Sequence, residues 1–354
     1  PVQPRSTADS EGMWRFVVVV AALLSGAVGC SDDDETDVPF LGPPPPPSPA
    51  TIAHADLNPR MLRRFRPLQA PSIENGDQVA LGKMLYFDPR LSRNQDTSCN
   101  TCHPLDRHGA EDRATSIGSS GKPGKRNAPT VFNAATHIAQ FWDGRAADLE
   151  AQAKEPILDA DEMAMVEPHL VSLQLQHILG YVAAFGRAFP GEPINLDHVA
   201  RAIAAFERTL VTPSRWDRFL EGDSNAMSRS ERAGLKLFAD VGCVQCHTGE
   251  LVGASMFQKV GIVEAWPNQT DQGRYEVTHL DADQMVFKVP SLRNVSQTGP
   301  YFHDGSVARL STAIAMMGKH QLGVALTREE VASIETWLKV LDGTSGPIAP
   351  PTLP

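Results

Sequence analysis

Two short motifs contain four of the five cysteines in this chain. In each motif, two cysteines separated by two residues are followed directly by a histidine: Cys99, Cys102 and His103, and Cys243, Cys246 and His247. Thiols at this spacing can bond to the two vinyl groups of one haem, and the adjoining histidine can then ligate its iron. The motifs lie too far apart to form a zinc ribbon, so a four-cysteine zinc site is the weaker interpretation. The sequence therefore predicts two covalently attached c-type haems.

The length of the chain indicates a folded protein with about two domains. It has 354 residues, of which 42% are hydrophobic and 21% are charged, and this is enough to form sizeable cores. The formal net charge of −10 argues against nucleic acid as a partner, because binding phosphate requires a concentrated positive field. We expect basic or neutral partners.

The segment before the folded body has the features of an export signal. Met13 precedes an apolar stretch over 16–24, and small residues then lead into the lone Cys30. This arrangement resembles a bacterial lipobox, although Ala27 stands where leucine is more usual. We expect residues 1–30 to direct export to the periplasm and Cys30 to carry a membrane-anchoring lipid, with plain secretion as the alternative. The acidic and proline-rich residues 31–56 are predicted to form a linker.

The second half of the chain repeats a residue pattern of the first half. Residues of the first half recur with the same spacing in the second: Pro129, Asn133, Phe141, Asp143, Gly144, Ala147 and Leu149 match Pro290, Asn294, Phe302, Asp304, Gly305, Ala308 and Leu310. The repetition predicts an internal duplication. It would give two cytochrome c-like haem domains, over 57–220 and 221–345, followed by a tail over 346–354.

The hydrophobic spacing favours a mainly α fold with long loops. Apolar residues recur at helical spacing over 195–210. Two pairs have the capping-box pattern that starts a helix: Ser228 with Glu231, and Thr327 with Glu330. Gly343 is expected to end the last helix. We expect no β-sheet.

Five longer strings make the chain similar to a known family. They occupy 85–92, 126–130, 141–146, 288–294 and 301–305, and they include Phe-Trp-Asp-Gly-Arg-Ala and Tyr-Phe-His-Asp-Gly. Through these strings the chain resembles the bacterial dihaem cytochrome c peroxidases and the related enzyme MauG, which matures methylamine dehydrogenase. The resemblance implies a peroxidatic N-terminal haem ligated by His103 and an electron-transfer C-terminal haem ligated by His247. It places Trp142 between them.

The resemblance also implies an activity, the reduction of hydrogen peroxide to water. Electrons would come from a small cytochrome c or a cupredoxin. Glu162 matches the family's acid–base residue, which moves a proton from the inner to the outer peroxide oxygen, and Gln152 matches its companion in the pocket. Two other functions remain as alternatives: a MauG-like oxidase of a protein or a small organic substrate, and a dihaem electron carrier without catalysis.

A methionine is expected as the second axial ligand of the C-terminal haem, because a thioether stabilises ferrous iron. Met316 and Met317 are adjacent, and side chains one residue apart on a helix point about 100° apart, so only one can face the iron. The family-like string 317–322 selects Met317 and leaves Met316 to the core. MauG has tyrosine here, so methionine favours the peroxidase function.

The distal position of the N-terminal haem departs from the family pattern. Many dihaem peroxidases have a histidine after a Ser-Ile-Gly motif, and this histidine ligates the resting iron. Here residues 116–118 form the motif and Ser119 follows, which is a poor ligand for haem iron. We therefore expect a constitutively open N-terminal haem. His108 is the spare candidate, but it follows His103 so closely that it would need a sharp chain reversal to reach the opposite face.

Family members also bind calcium between their domains, and Asn127, Thr298 and Pro300 occupy the matching positions. Oxygen donors suit this ion, and backbone carbonyls would supply part of the site. Ordinary turn residues are the alternative interpretation. His303 is expected to serve the haem propionates or the domain interface. A homodimer is expected by analogy with the family alone.

Overall fold

A computed structural model describes residues 57–69, 73 and 75–354 of the chain. The predicted export signal, Cys30 and the predicted linker lie outside the described residues. The helices are α1 Pro59–Leu62, α2 Gly76–Phe87, α3 Cys99–Cys102, α4 Leu149–Leu158, α5 Pro168–Gln176, α6 Leu179–Ala188, α7 Leu196–Glu207, α8 Arg215–Leu220, α9 Arg229–Asp240, α10 Tyr275–Thr278, α11 Leu310–Met316 and α12 Arg328–Leu338. The predicted mainly α class is confirmed. Among the described helices, none has both the length and the apolar character needed to cross a membrane.

The first half is organised around a close crossing of α2 and α7. Gly82 on α2 has no side chain, and a Cβ atom at this position would lie 1.8 Å from the carbonyl oxygen of Ala202 on α7. Because the two backbones meet here, the apolar faces of both helices come together. Leu81, Leu85 and Ile203 pack into one core with buried residues of α4, α5 and α6.

The second half contains a similar crossing between α9 and α12. A Cβ atom at Gly234 would lie 2.1 Å from the carbonyl oxygen of Ser333. Leu235, Ile334 and Trp337 are buried at this crossing and belong to one core. Both helices begin with the predicted capping boxes, so the predicted start of each helix is confirmed.

Thr212 joins the two halves. Its hydroxyl oxygen accepts one hydrogen bond from Asn133 Nδ2 at 2.8 Å and another from Asn294 Nδ2 at 2.9 Å, and all three residues are buried. Each asparagine has a left-handed backbone conformation, with φ of 63° and 60° respectively, and each begins a short 3₁₀ turn. Because a buried amide is costly to leave without a partner, the shared hydroxyl fixes the position of each half against the other.

Gly343 has a different role from the predicted one. Helix α12 ends at Leu338, and a 3₁₀ turn over Lys339–Leu341 separates Gly343 from it. The Gly343 N–H donates to Asn294 Oδ1 at 2.8 Å, and a Cβ atom there would lie 2.1 Å from the carbonyl oxygen of Thr212. Close packing against Thr212 therefore requires a glycine here. The prediction that Gly343 ends the last helix was wrong.

A small antiparallel sheet, which the sequence did not predict, lies in the second half. It pairs β1 Phe257–Lys259 with β2 Val286–Lys288. Strands of three residues are too short to give a recognisable alternation of apolar and polar residues. The sheet matters for the site, because the backbone N–H of Lys288 at its end donates to the carbonyl oxygen of Trp142 at 2.7 Å.

We expect Gly82→Ala to lower the free energy of unfolding by about 2–3 kcal/mol, because the added methyl group must displace the Ala202 backbone. Urea unfolding of the holoprotein measures this change. Gly186 lies inside α6 with no atom within 4 Å of its Cβ position, so Gly186→Ala is the matched control. We expect it to be neutral or to stabilise by about 0.5–1 kcal/mol. Equal unfolding midpoints for the two variants would contradict the close crossing.

Candidate active site

The first haem-attachment motif borders a cavity of about 410 Å³. Cys99, Cys102 and His103 line it. Gln152 and Glu162, which are distant from the motif in sequence, line the same cavity. The structure thus brings together the predicted haem-attachment residues and the two predicted pocket residues of the N-terminal site.

The second motif borders a separate cavity of about 300 Å³. Cys243, Cys246 and His247 line it, together with Met317. Met317 is the first residue of a π-helical turn over Met317–Gln321, a type of distortion that is frequent at functional sites. Met316 does not line this cavity and packs against a buried cluster that contains Trp266.

The two cavities share a wall. Seven residues line both of them: Asn127, Pro129, Thr130, His137, Phe141, Trp142 and Lys288. Trp142 is held in this wall from two directions, because its Nε1–H donates to the Asn127 carbonyl at 3.0 Å and its own carbonyl accepts from the Lys288 N–H. Trp142 therefore lies in the wall between the two cavities.

Both motif histidines are held as neutral rings suited to ligating a metal. The His247 ring makes a hydrogen bond of 3.2 Å from Nδ1 to the Val252 carbonyl, and since a carbonyl can only accept, Nδ1 carries the hydrogen and Nε2 keeps its lone pair. Burial lowers the pKa of His247 to about 4 and also lowers that of His103. The Tyr86 hydroxyl donates to the His103 carbonyl at 2.7 Å and fixes the backbone there. These residues fit the axial and attachment positions of haem c.

The four motif cysteines are free thiols close to their partners in each motif. Helix α3 spans Cys99 and Cys102, and the His103 N–H closes its turn on the Cys99 carbonyl at 2.9 Å. In the second motif the His247 N–H makes the same bond to Cys243 at 3.0 Å. Burial is the largest of the effects that raise the pKa of each thiol. The pKa of Cys243 rises to about 12.

Glu162 lies in the loop that follows α4, the helix that carries Gln152. Burial is the main cause that raises the pKa of its carboxyl to about 7, and Asp159 adds to the effect while Arg145 opposes it. Its carboxylate makes no hydrogen bond or ion pair with any residue that the structure describes. An acid of this kind can exchange a proton near neutral pH, which general acid–base catalysis requires.

Neither candidate distal ligand lines the first cavity. The Ser119 hydroxyl is turned into the protein, where it donates to Asp96 Oδ1 at 2.7 Å and accepts from the Asn94 N–H at 3.2 Å. His108 lies in a left-handed turn whose carbonyl accepts from the Thr130 hydroxyl at 2.6 Å. Ser119 and His108 are both absent from the residues that border the cavity.

The three residues predicted to bind calcium all line the second cavity. Asn127 Nδ2 donates to the carbonyls of Arg113 and Ala114 at 3.2 and 3.3 Å. Thr298 and Pro300 follow each other closely in the loop before the Tyr-Phe-His-Asp-Gly string. No group of three or more His, Cys, Asp or Glu side chains that could hold a metal ion occurs in the part of the chain that the structure describes. A calcium site here would therefore depend on amide and carbonyl oxygens.

Sequence reasoning missed three residues that line the first cavity: His137, Glu207 and Lys288. His137 Nδ1 lies 2.8 Å from Lys288 Nζ, and its Nε2 is buried without a hydrogen-bond partner. Lys288 is only 6% exposed, and burial lowers its pKa to about 7. A signal for Glu207 was present, since it lies one turn after Ile203 on the apolar face of α7.

The comparisons with known proteins agree with this geometry. A family model described as di-haem cytochrome c peroxidase matches residues 76–225. The cytochrome c551 peroxidase of Nitrosomonas europaea is 44% identical over 292 residues, which cover 82% of this chain and 87% of that protein. The chain belongs to the di-haem cytochrome c peroxidase family. Membership confirms the predicted family and enzyme class, and it implies haem c as the cofactor.

Two further proteins are similar to this chain over most of its length. The cytochrome c551 peroxidase of Pseudomonas aeruginosa is 43% identical over 318 residues, covering 86% of this chain and 91% of that protein. The crystal structure of a MauG-like protein associated with microbial copper homeostasis has a TM-score of 0.68 and 28% identity, and it covers 78% of this chain and 93% of that one. The similar proteins thus include cytochrome c peroxidases and a MauG-like protein.

Proposed function

We propose that this protein reduces hydrogen peroxide to water in the first cavity, using electrons that enter through the second. One observation carries the proposal: the unpaired Glu162 carboxylate borders the same cavity as Cys99, Cys102 and His103. The relatives named cytochrome c peroxidase support peroxide as the substrate. An electron carrier would not need an acid of this kind beside one of its haems.

The residues of each cavity fit a covalently attached haem. Cys99 and Cys102 would hold the first haem and His103 would ligate it, while Cys243, Cys246 and His247 would do the same for the second. Bound haem supplies the iron that accepts electrons and reduces peroxide. The free thiols and the neutral histidine rings at the two motifs support this assignment.

Glu162 moves the proton that cleavage of peroxide requires. Reduction of one hydrogen peroxide consumes two electrons and two protons and gives two water molecules. The Glu162 carboxylate takes the proton from one peroxide oxygen and returns it to the other, so that water can leave. Its pKa near 7 suits both halves of this transfer. Gln152, on the neighbouring helix, is the proposed pocket companion that positions the peroxide.

The first site is proposed to be open in the resting protein. Ser119 cannot act as the missing distal ligand, because its hydroxyl is occupied by Asp96 and Asn94. His108 also does not border the cavity. Peroxide would then enter without a preceding ligand exchange, and turnover would need no reductive activation.

The second site is proposed to accept and pass on electrons. Met317 borders its cavity and would hold the iron together with His247, and its thioether would raise the reduction potential. Trp142 lies in the wall between the cavities and is the proposed connection for electrons between the two sites. The methionine, where MauG has tyrosine, favours a peroxidase over an oxidase of a protein or small organic substrate.

Other assignments rest on the sequence and the family. The donor would be a small cytochrome c or a cupredoxin, and the protein would act in the periplasm, anchored by lipid at Cys30. Asn127, Thr298 and Pro300 would bind one calcium ion, and a homodimer follows by analogy. The domains would be 57–220 and 221–345, two copies of one duplicated cytochrome c unit. The paired glycine crossings and the paired asparagines on Thr212 support this duplication.

Glu162→Gln should lower peroxide turnover by about 10²- to 10⁴-fold while both haems remain attached. In the wild type, kcat/KM should fall as the pH drops below about 7, because a protonated carboxyl cannot accept the peroxide proton. Steady-state oxidation of a reduced cytochrome c measures both effects. Glu167→Gln, at an exposed glutamate nearby, is the control and should keep wild-type rates. Full turnover by Glu162→Gln would remove the basis of the proposal.

The oxidised holoprotein should contain one high-spin and one low-spin haem, and it should consume peroxide without prior reduction. Electronic and paramagnetic resonance spectra measure the two spin states. An open site predicts the high-spin species, since neither Ser119 nor His108 borders the first cavity. Two low-spin haems in the resting protein would show that a side chain closes the first site.

Met317→His should lower the reduction potential of the C-terminal haem, by an amount on the order of 0.1 V. Spectroelectrochemical titration of both haems measures the shift. Met316→Leu changes the neighbouring residue, which packs in the core and does not border the cavity, so it should leave both potentials unchanged. The reverse pattern would mean that Met316 is the ligand.

A further inference from the structure

Glu207 is a buried acid in the first cavity that the proposed peroxide chemistry does not use. It is the last residue of α7, it lines the cavity, and only 5% of it is exposed. Its carboxylate makes no hydrogen bond or ion pair with any of the described residues. A buried carboxylate normally has such a partner, because losing hydration without compensation is costly. Glu207 departs from this pattern at the border of the first cavity.

The groups around Glu207 do not neutralise it. Four neighbours on the packed elements are titratable or charged: Arg208 next to it on its own helix, Tyr86 on α2, Cys99 on α3 and Glu150 on α4. The only cation among them, Arg208, is already engaged with Glu150, at 2.8 and 2.9 Å to its two carboxylate oxygens. Burial consequently raises the pKa of Glu207 to about 8, with Arg208 opposing this effect and Glu150 adding to it.

We propose that Glu207 takes up one proton when an electron enters the first haem site. The inference rests on the proposed function, since it requires haem at Cys99 and Cys102. It assigns to this site a second acid with a role different from that of Glu162, because Glu207 compensates charge and does not transfer the peroxide proton.

The reason is electrostatic. An oxidised haem carries a positive charge that favours the ionised carboxylate, and reduction removes that charge. In a cavity of low dielectric constant such interactions are strong, so the affinity of Glu207 for a proton rises on reduction. One electron arrives from the second site, one proton arrives from solvent, and an O–H bond forms on the carboxylate. When that electron is passed on, the O–H bond breaks and the proton is released to solvent.

The experiment measures the reduction potential of the first haem against pH. Glu162 and Lys288 border the same cavity, and burial shifts the pKa of each to about 7, so both could add to the pH dependence. Variants with and without Glu207 are therefore compared in a Glu162→Gln background in which Lys288 is unchanged. In this background the equilibrium constant for reduction should fall by up to about tenfold for each pH unit through the range from about pH 6 to about pH 9. Adding Glu207→Gln should remove most of that dependence.

The matched control is Glu111→Gln. Glu111 is also buried and lies near Cys102 of the same motif, but its carboxylate accepts a hydrogen bond from the Ser116 hydroxyl. This variant should keep the pH dependence of the background. Redox-difference infrared spectra provide a second readout, in which reduction produces a carboxylic acid carbonyl band that Glu207→Gln abolishes and that Glu207→Asp retains.

Two results would overturn the inference. One is a pH dependence that is the same with and without Glu207→Gln, and the other is an infrared band that persists in this variant. Haem content measured on the same samples separates this failure from failure of the proposed function. Loss of the inference leaves two haems attached and peroxide turnover intact, whereas a wild-type protein without two haems contradicts the proposed function itself.

Discussion

The wall that separates the two cavities is the constraint on which the rest of this structure depends. An electron that enters at one haem can be used at the other only if the two sites lie close together and stay in register. Trp142 lies in this wall and is bonded to Asn127 on one side and to Lys288 on the other. Arg126 reinforces the contact, because it pairs with Asp143 in the first half and with Asp271 in the second.

The wall keeps its geometry only if the two helical halves hold fixed positions relative to each other. A glycine crossing of α2 and α7 fixes the shape of the first half, and one of α9 and α12 fixes the second. Thr212 then ties the two through a single buried hydroxyl. These contacts are all short-range and directional, so a small displacement of one half would break several of them together. Rigid halves and one shared wall form the scaffold of the site.

Much of this arrangement could be predicted from the sequence, where a local rule was sufficient. The two haem-attachment motifs are defined by spacing alone, and the capping boxes at Ser228 and Thr327 are defined by residues three apart. Helical geometry and similarity together favour Met317 as a ligand, and Met317 lines the second cavity. The expectation for Gly343 was wrong because its close neighbour, the Thr212 carbonyl, is distant in sequence. His137 and Lys288 escaped prediction for the same reason, since tertiary contacts determine their burial and their partners. Glu207 is a different case, because its position on the apolar face of α7 is a signal of burial that the sequence does contain.

The hydrogen bonds of Ser119 restrict what a substitution at this position can do. The side chain is anchored through Asp96 and Asn94, and the Ser119 N–H also donates to the Glu162 carbonyl at 2.6 Å. Gly118 beside it approaches the Asp161 backbone so closely that a Cβ atom would lie 2.0 Å from its carbonyl oxygen. A histidine substituted at this position would lose the hydrogen bonds of the Ser119 side chain while the backbone contacts to 161–162 remained. Such a substitution alone would therefore leave the loop bound to the segment that carries Glu162.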